Sequence, residues 1–541
     1  AFRGPGRAWV PVASIERAAL IAPGPRNASS GARFALGSKM PMNPSRVASR
    51  NFLTVSSAEQ AERHRLAWVE LPADLYTPVR VFLALRAADR APCLLESAEG
   101  PERLARHSFL ACDPSASLRG DSGAVRLERD GAAPRTLALP VHEALRAAAA
   151  DDRLPEPPRA LPPFHGGWVG CFAYEWCGTL EPRVRAARER AGVQTEEAEA
   201  DFRFFPTVVA FDHAAQKLAL LRRCPQGAAG HAAALAHLEA LATDLSAEPP
   251  APGAFRLLDA EPKASMDRKT YEEGVARLQR EIAQGEVFQA VLARRLAWRC
   301  EGDLFALYRV LRLVNPAPHM FYFESAGRTL IGSSPERLIS VRGRLVQNRP
   351  IAGTRPRSDD EAEDQRLAAE LMADRKERAE HDMLVDLGRN DLGRIARTGT
   401  VRVVEHAALE KFARVQHLVS RIECELAAPF DALDALAAAF PAGTVSGAPK
   451  VRAMELLAEL EPVARGAYAG AFGYLDGSGN LDTAIILRTI VAREEVDGLR
   501  VLVQAGAGVV HDSVPAREYE ETVHKGSALA EALRLTEELS R

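Results

Sequence analysis

From residue 51 onward, apolar positions follow two rhythms, short continuous or alternating runs and longer stretches of helical spacing. The runs predict strands at 92–97, 107–111, 166–175 and 287–295, and two between 204 and 221 with a turn near Ala214. A hairpin is predicted from 320–324 and 329–331, and further strands at 470–475, 483–491 and 499–504. Helical spacing predicts a short helix within 72–85 and others at 229–245, 304–313, 432–440 and 451–460. A helix over 267–283 is capped by Asp267 and ended by Gly285, and Asn315-Pro316 stops the one before it. A charged helical region spans 359–392, and a turn falls at 98–101. Strands and helices mix without strict alternation, which gives an α+β or layered α/β fold class and no internal repeat.

Proline clusters at 153–163 and 248–253 read as surface connections, and the second is the candidate domain boundary. It yields an N-terminal domain over 51–255 and a C-terminal one over 256–541. Residues 1–50 are rich in Arg, Ala, Gly and Ser, with Glu16 as their one acid. They read as an organelle transit segment, or as a disordered start with Met40 or Met42 as initiator; the second is favoured, and neither gives a folded core.

Composition narrows the function classes. Of 541 residues, 47% are hydrophobic and 26% charged, as in an ordinary globular protein. A net charge of -3 gives no footprint for nucleic acid or an acidic membrane surface. At 6% aromatic content, base-stacking platforms are not indicated. Seven scattered cysteines include no C-x-x-C, so a reducing compartment fits. No apolar run is long enough to span a bilayer.

The densest candidate chemistry lies near the C-terminus. Residues 501–508, VLVQAGAG, read as a buried strand running into Gly-x-Gly, where a backbone can come close to a ligand. Residues 516–525, AREYEETVHK, open a helix with Glu518 and Glu521 on one face and Lys525 a turn beyond. Paired carboxylates suit magnesium, and a lysine suits an anion; alone, such a face is more often solvated surface. Residues 443–450, GTVSGAPK, fail the phosphate-loop pattern but could hold a carboxylate at a helix start. Glu377 and Glu380 sit on neighbouring turns of a polar segment, and 331–336 end a strand in a turn presenting Glu336.

Taken together, these segments resemble the chorismate-utilising enzymes, most closely their anthranilate synthase large-subunit branch. The resemblance rests on LLES (94–97), GGWVG (166–170), GEVFQAVLAR (285–294), NPAPHM (315–320), GSSPE (332–336), RPIAGTRPR (349–357), AEHDMLVDLGRND (379–391), FPAGTVSGAPK (440–450) and QAGAG (504–508), with Glu518 and Glu521. It covers about residues 60–541.

The resemblance implies a two-domain fold of mixed, largely antiparallel sheets with flanking helices, its N-terminal part regulatory and its C-terminal part binding chorismate. It implies magnesium held by Glu380 and Glu521, with Glu518 beside them. Substrate-binding positions carried over are Gln289, Ala352, Gly353, Thr354, Thr444, Tyr468, Arg488, Ala505, Gly506, Ala507, Gly508 and Lys525. Glu336 is implied as the general acid for the departing C4 hydroxyl, and His417 as an aid to pyruvate elimination. Hydroxide is a poor leaving group at neutral pH, so that step needs a proton donor.

Two positions separate reactions within the family. Members that add water carry a lysine base where this chain has Gln289, and a glutamine cannot take a proton from water. Aminodeoxychorismate synthases carry a lysine nucleophile where this chain has Ala352. The implied reaction is therefore ammonia addition at C2, then loss of pyruvate to give anthranilate, with aminodeoxychorismate synthesis as the alternative. Glu96, Ser97, Pro316, Ala317, Pro318, His319 and Met320 resemble the segments that bind tryptophan in feedback-inhibited members. His319 and His107 replace residues that are usually aromatic there. No Gly-x-Cys-x-Gly turn is present, so the implied ammonia source is a separate glutamine amidotransferase subunit. The expected location is the cytoplasm, or a plastid if residues 1–50 form a transit peptide.

Overall fold

The computed structural model describes residues 64–541 except 99–105, 155–160, 413 and 497. The segment 1–50 lies outside the described residues, as do parts of the turn at 98–101 and of the proline-rich connection at 153–163.

Two large antiparallel sheets, of thirteen and twelve strands among the described residues, form the molecule's centre. The first runs from His64–Pro72 through Lys217–Pro225, Thr207–Asp212, His107–Cys112 and Cys93–Glu96. It continues through His319–Ser325, Arg328–Ser334, Thr489–Glu495, Gly498–Val509 and Gln289–Gly302 to Phe255–Leu257. The second carries Ile351–Pro356, Val415–Glu425, Leu345–Asn348, Arg337–Arg342, Leu481–Ile485 and Ala471–Asp476, then Gly167–Phe172 and four further strands, with Arg402–Lys411 paired to Val415–Glu425 beside this path. Both sheets therefore draw strands from either side of residue 255. Cys93–Glu96 pairs with His319–Ser325, and Gly167–Phe172 with Ala471–Asp476.

A hydrophobic cluster joins the two sheets face to face. Phe321 of the first stacks on Phe472 of the second with ring centroids 4.1 Å apart. Phe109, Phe164 and Tyr474 extend the contact. Each such ring taken out of water contributes about 1.5–3 kcal/mol. Helices cover the outer faces. Pro515–Ser540 and Leu304–Val314 share a core with Val501 and Val503, and Ala432–Ala439 packs with Ile339 and Ile422 of the second sheet. The result is the layered arrangement expected from the mixed pattern.

Several predicted elements divide. The charged region 359–392 is two helices, Glu361–Ala373 and Arg375–Gly393, parted at Asp374. Asp374 caps the second by accepting from the N–H groups of Lys376 and Glu377. The pair expected within 204–221 is Thr207–Asp212 and Lys217–Pro225 with a turn at 213–216, and Pro206, which can donate no ladder hydrogen bond, sets a further strand, Ala200–Phe205, apart from it. The strand predicted over 483–491 is interrupted between Ile485 and Thr489, where Arg488 has φ 45°.

Candidate active site

The strand Gly498–Val509 and its neighbour Gln289–Gly302 form the floor of a cavity of about 900 Å³. Gly506 and Gly508 face it. A Cβ on Gly508 would stand 2.7 Å from Gln289 Nε2, and one on Gly506 would stand 3.0 Å from both Tyr468 Oη and the Leu292 carbonyl. Glycine is thus required for these backbone atoms to reach the cavity unobstructed. Ala507 is fully buried and lies outside the cavity lining. Of the substrate-binding positions expected from the sequence, Ala507 alone is absent from the lining.

Glu336 follows directly on the strand Arg328–Ser334 and is 7% exposed. Burial pushes its carboxyl up to about 8, against hydrogen bonds from Thr444 and the Ile351 N–H that pull it down. The group therefore carries its proton at neutral pH. His417 sits across the cavity on Val415–Glu425, with Nδ1 3.0 Å from the Gly353 carbonyl and 3.0 Å from Thr354 Oγ1. A carbonyl only accepts, so Nδ1 bears the hydrogen and Nε2 keeps the lone pair. Burial and the Arg488 charge hold this imidazole below its usual range, hence neutral. Ala352, Gly353 and Thr354 line the wall beside it. Gln289 reaches the cavity too, and its Oε1 is buried and accepts no hydrogen bond from the protein.

Arg488, a bulky residue in the left-handed region, lines the same cavity. Such conformations persist where the surroundings over-determine them, and they cluster at functional sites.

The acids expected to hold a metal come from two helices. Glu380 projects from Arg375–Gly393, and Glu518 and Glu521 from the first turns of Pro515–Ser540. All three line the cavity. Burial first, then the neighbouring carboxylates, raises the Glu380 pKa, with Glu377, Glu521 and Glu518 all contributing. Burial likewise raises that of Glu518, and Glu521 adds to it. Lys525 Nζ binds Glu521 at 2.6 Å and donates to the Gly506 carbonyl at 3.1 Å, and Lys376 Nζ lies 3.8 Å from Glu380. Among the described residues no three potential ligands already converge as a metal-binding group. The donors are nonetheless hard oxygens whose mutual repulsion a divalent cation would relieve, so the residues fit magnesium.

The lining holds residues to which sequence reasoning assigned no site role. Glu377 is one, its signal being the three-residue spacing from Glu380; Lys376, Arg414, Asn315 and Gln504 are others. Arg414 has no local motif and is brought in by the start of a strand.

The segments expected to bind a regulator are adjacent. Met320 pairs with Glu96 across two strands, and the Ala98 N–H donates to the Ala317 carbonyl. The Glu96 carboxylate is taken by Tyr308 Oη and by both Nε and Nη2 of Arg312. Ser97 Oγ is buried without a partner, Met320 is buried, and Pro316, Ala317 and Pro318 reach the main cavity. Burial pushes His107 to about 4 and His319 to about 3, so both are neutral.

Comparison with known proteins places this geometry. Residues 90–531 match the family described as chorismate binding enzyme. Anthranilate synthase component 1 of Streptomyces coelicolor is 44% identical over 86% of this chain and 88% of its own. That of Thermus thermophilus is 42% identical over 86% and 97%. Among solved structures, anthranilate synthase component I from Streptococcus pneumoniae superposes with a TM-score of 0.65 at 32% identity, over 79% of this chain and 92% of that one. The menaquinone-specific isochorismate synthase MenF of Escherichia coli, at 22% identity and a TM-score of 0.63 over 87% and 94%, shares the fold.

Proposed function

The chain belongs to the chorismate-binding enzyme family, and from that membership we infer that it is an anthranilate synthase component 1, converting chorismate and ammonia to anthranilate and pyruvate. The observation that carries this reading is a buried Glu336 sharing one cavity with a glutamine at 289 and an alanine at 352, burial pushing its carboxyl up to about 8. Chorismate's C4 hydroxyl leaves only if protonated, and Glu336 is the buried acid suited to give that proton. Ammonia brings its own lone pair, so Gln289 need not act as a base, and its open Oε1 suits a nucleophile carrying N–H groups. Ala352 offers no amine for a covalent adduct, which disfavours the aminodeoxychorismate alternative. After C2–N bond formation and departure of the C4 hydroxyl as water, the C2 proton and enolpyruvate are lost. Neutral His417, with its Nε2 lone pair, is placed to assist that proton transfer.

Gly506, Gly508, Thr444, Tyr468, Arg488 and Lys525 hold the carboxylates and pyruvyl group in this reading. Glu380 and Glu521 hold magnesium, with Glu518 and Glu377 beside them. The bound ion supplies Lewis-acid charge for the ring carboxylate.

Ammonia comes from a separate glutamine amidotransferase subunit. All seven cysteines here are free and buried, whereas a glutaminase nucleophile must be open to its substrate. Tryptophan is the inhibitor, held near Ser97 and Pro316–Met320. The open Ser97 hydroxyl supports this site, and the paired Glu96 and neutral His319 bear on its affinity. The free thiols fit a cytoplasmic location, and among the described residues no helix is long and apolar enough to cross a membrane.

The test is direct. Protein incubated with chorismate, magnesium and ammonium salt yields the fluorescence of anthranilate together with pyruvate. A 4-amino product, or none, overturns the reading.

A further inference from the structure

The edge of the strand Gln289–Gly302 that faces away from Gly498–Val509 is covered piecemeal. Gly447–Ala448 pairs with its first residues, and the Val291 N–H donates to the Ser446 carbonyl. Further along, Ser265 binds Arg295 and Lys263–Ala264 takes over. Between these two segments no backbone of the described residues hydrogen-bonds to the edge. Two side chains fill the gap. Arg465 Nη2 donates to the Val291 carbonyl at 2.7 Å, and Glu461 Oε1 accepts from the Ala293 N–H at 3.0 Å. They join each other through Arg465 Nη2 to Oε1 at 2.6 Å and Nε to Oε2 at 2.8 Å. A planar guanidinium–carboxylate fork thus offers a donor and an acceptor to successive edge groups, as a neighbouring strand would.

The same guanidinium does more than fill the edge. Its Nη1 donates to the Val445 carbonyl at 2.7 Å, on the turn that holds Thr444. Its face lies 5.7 Å from the Tyr468 ring and 4.5 Å from the Tyr174 ring. Its own backbone N–H and that of Gly466 are fixed by the two oxygens of Glu175. The Arg465 side chain is 1% exposed and does not reach the cavity. Three of the residues it contacts nonetheless line the cavity themselves. Val291 is two residues from Gln289, Val445 follows Thr444, and Tyr468 faces the substrate space.

We propose that Arg465, paired with Glu461, is the positioning residue that sets the Gln289 wall, the Thr444 turn and Tyr468 in mutual register for the amination of chorismate. This rests on the reaction assigned above. A nucleophile positioned at Gln289 and an acid held by Thr444 must act on one ring, so a small relative shift of their supports costs rate rather than binding. Only an arginine can reach the Val445 carbonyl, the Val291 carbonyl and both Glu461 oxygens at once, because lysine presents a single point charge.

Two variants test it. Arg465→Lys keeps the buried charge. Arg465→Met combined with Glu461→Gln removes the ion pair while leaving an acceptor for Ala293, and so avoids stranding one charge inside. Both are compared with wild type for thermal midpoint, chorismate dissociation constant and kcat per folded molecule with ammonium as nitrogen source. Expected is a fall in kcat of about a hundredfold in each, with the chorismate dissociation constant within about threefold. A folded double variant that keeps kcat within about threefold of wild type overturns the proposal. So does a loss of activity that only tracks the unfolded fraction. Wild-type protein that makes no anthranilate would instead overturn the assigned reaction, so the two failures are distinct.

Discussion

Thr444 Oγ1 donates to Glu336 Oε1 at 3.2 Å, joining a turn to an acid 108 residues earlier in the chain. The bond belongs to a carboxyl that burial has already pushed up to about 8. Geometry and protonation therefore point to the same role, a positioned proton donor at neutral pH.

Replacing that donor removes the proton without removing the shape. Glu336→Gln is expected to lower kcat by 10²–10⁴-fold, the usual range for a general acid. Chorismate should still bind within a few-fold. Anthranilate fluorescence and calorimetric titration measure the two, and a variant within tenfold of wild-type kcat would remove Glu336 from the chemistry.

The pH profile follows from the same group. With free ammonia held constant, kcat/KM for chorismate should decline as pH rises through about 8, because the acid form of Glu336 in the free enzyme is lost there. The fall should correspond to one proton. An unchanged rate to pH 9.5, roughly 1.5 units past that point, contradicts the assignment.

Stability also falls with rising pH, over a lower window. At low pH both the folded and unfolded chain hold the Glu336 proton. Between the ordinary 4.5 and about 8 only the folded state does, so stability declines across that window, and above it the full penalty stands. Glu336→Gln lacks this penalty, which is on the order of a few kcal/mol. Its melting temperature should match wild type near pH 4.5 and exceed it by a few degrees at pH 8.5, as read by scanning calorimetry.

Magnesium should stabilise the protein as well as support turnover. Burial first, and the neighbouring carboxylates after it, raise the pKa values of Glu380 and Glu518, and a bound divalent cation would offset both effects. Adding magnesium should raise the melting temperature and release protons. Glu380→Gln and Glu521→Gln should each require roughly 10- to 100-fold more magnesium for half-maximal activity. Thermal shifts that ignore magnesium in the wild type would count against the site.

The floor of the cavity can be tested by one methyl group. In Gly508→Ala the new Cβ would stand 2.7 Å from Gln289 Nε2, so the flexible amide must move. The fold should survive with little change in melting temperature, while kcat/KM falls about a hundredfold. A variant with wild-type kcat/KM would show that Gln289 need not keep its place.

Much of the layout was legible in the sequence, for identifiable reasons. Asp267, Gly285 and Asn315-Pro316 bound their helices as helix-end chemistry requires. The run 92–97 became the strand Cys93–Glu96 because its apolar side chains were destined for a covered sheet. The strands Val415–Glu425 and Arg402–Lys411 were not read, since they are rich in polar residues and their pairing comes from segments apart in the chain as well as from each other. Glu336, Glu380 and Glu521 were found by motif resemblance, because burial and proximity across hundreds of residues leave no trace in local periodicity. Ala507 was named by the same resemblance, and its buried side chain lies outside the cavity lining. The Arg465–Glu461 fork gave no signal, since an arginine four residues from a glutamate reads as an ordinary exposed helix pair.

The rungs between Cys93–Glu96 and His319–Ser325 have a consequence for recombination. His319–Ser325 pairs in turn with Arg328–Ser334, which ends beside Glu336. A chimaera that exchanged the first 255 residues with those of a relative would replace the near neighbour of the strand leading to the acid. A one-residue slip at that seam would invert which side chains meet the core. The two halves of this gene product are therefore constrained to be inherited as one piece, and tolerance to grafting should be sought in the helices of the outer layers.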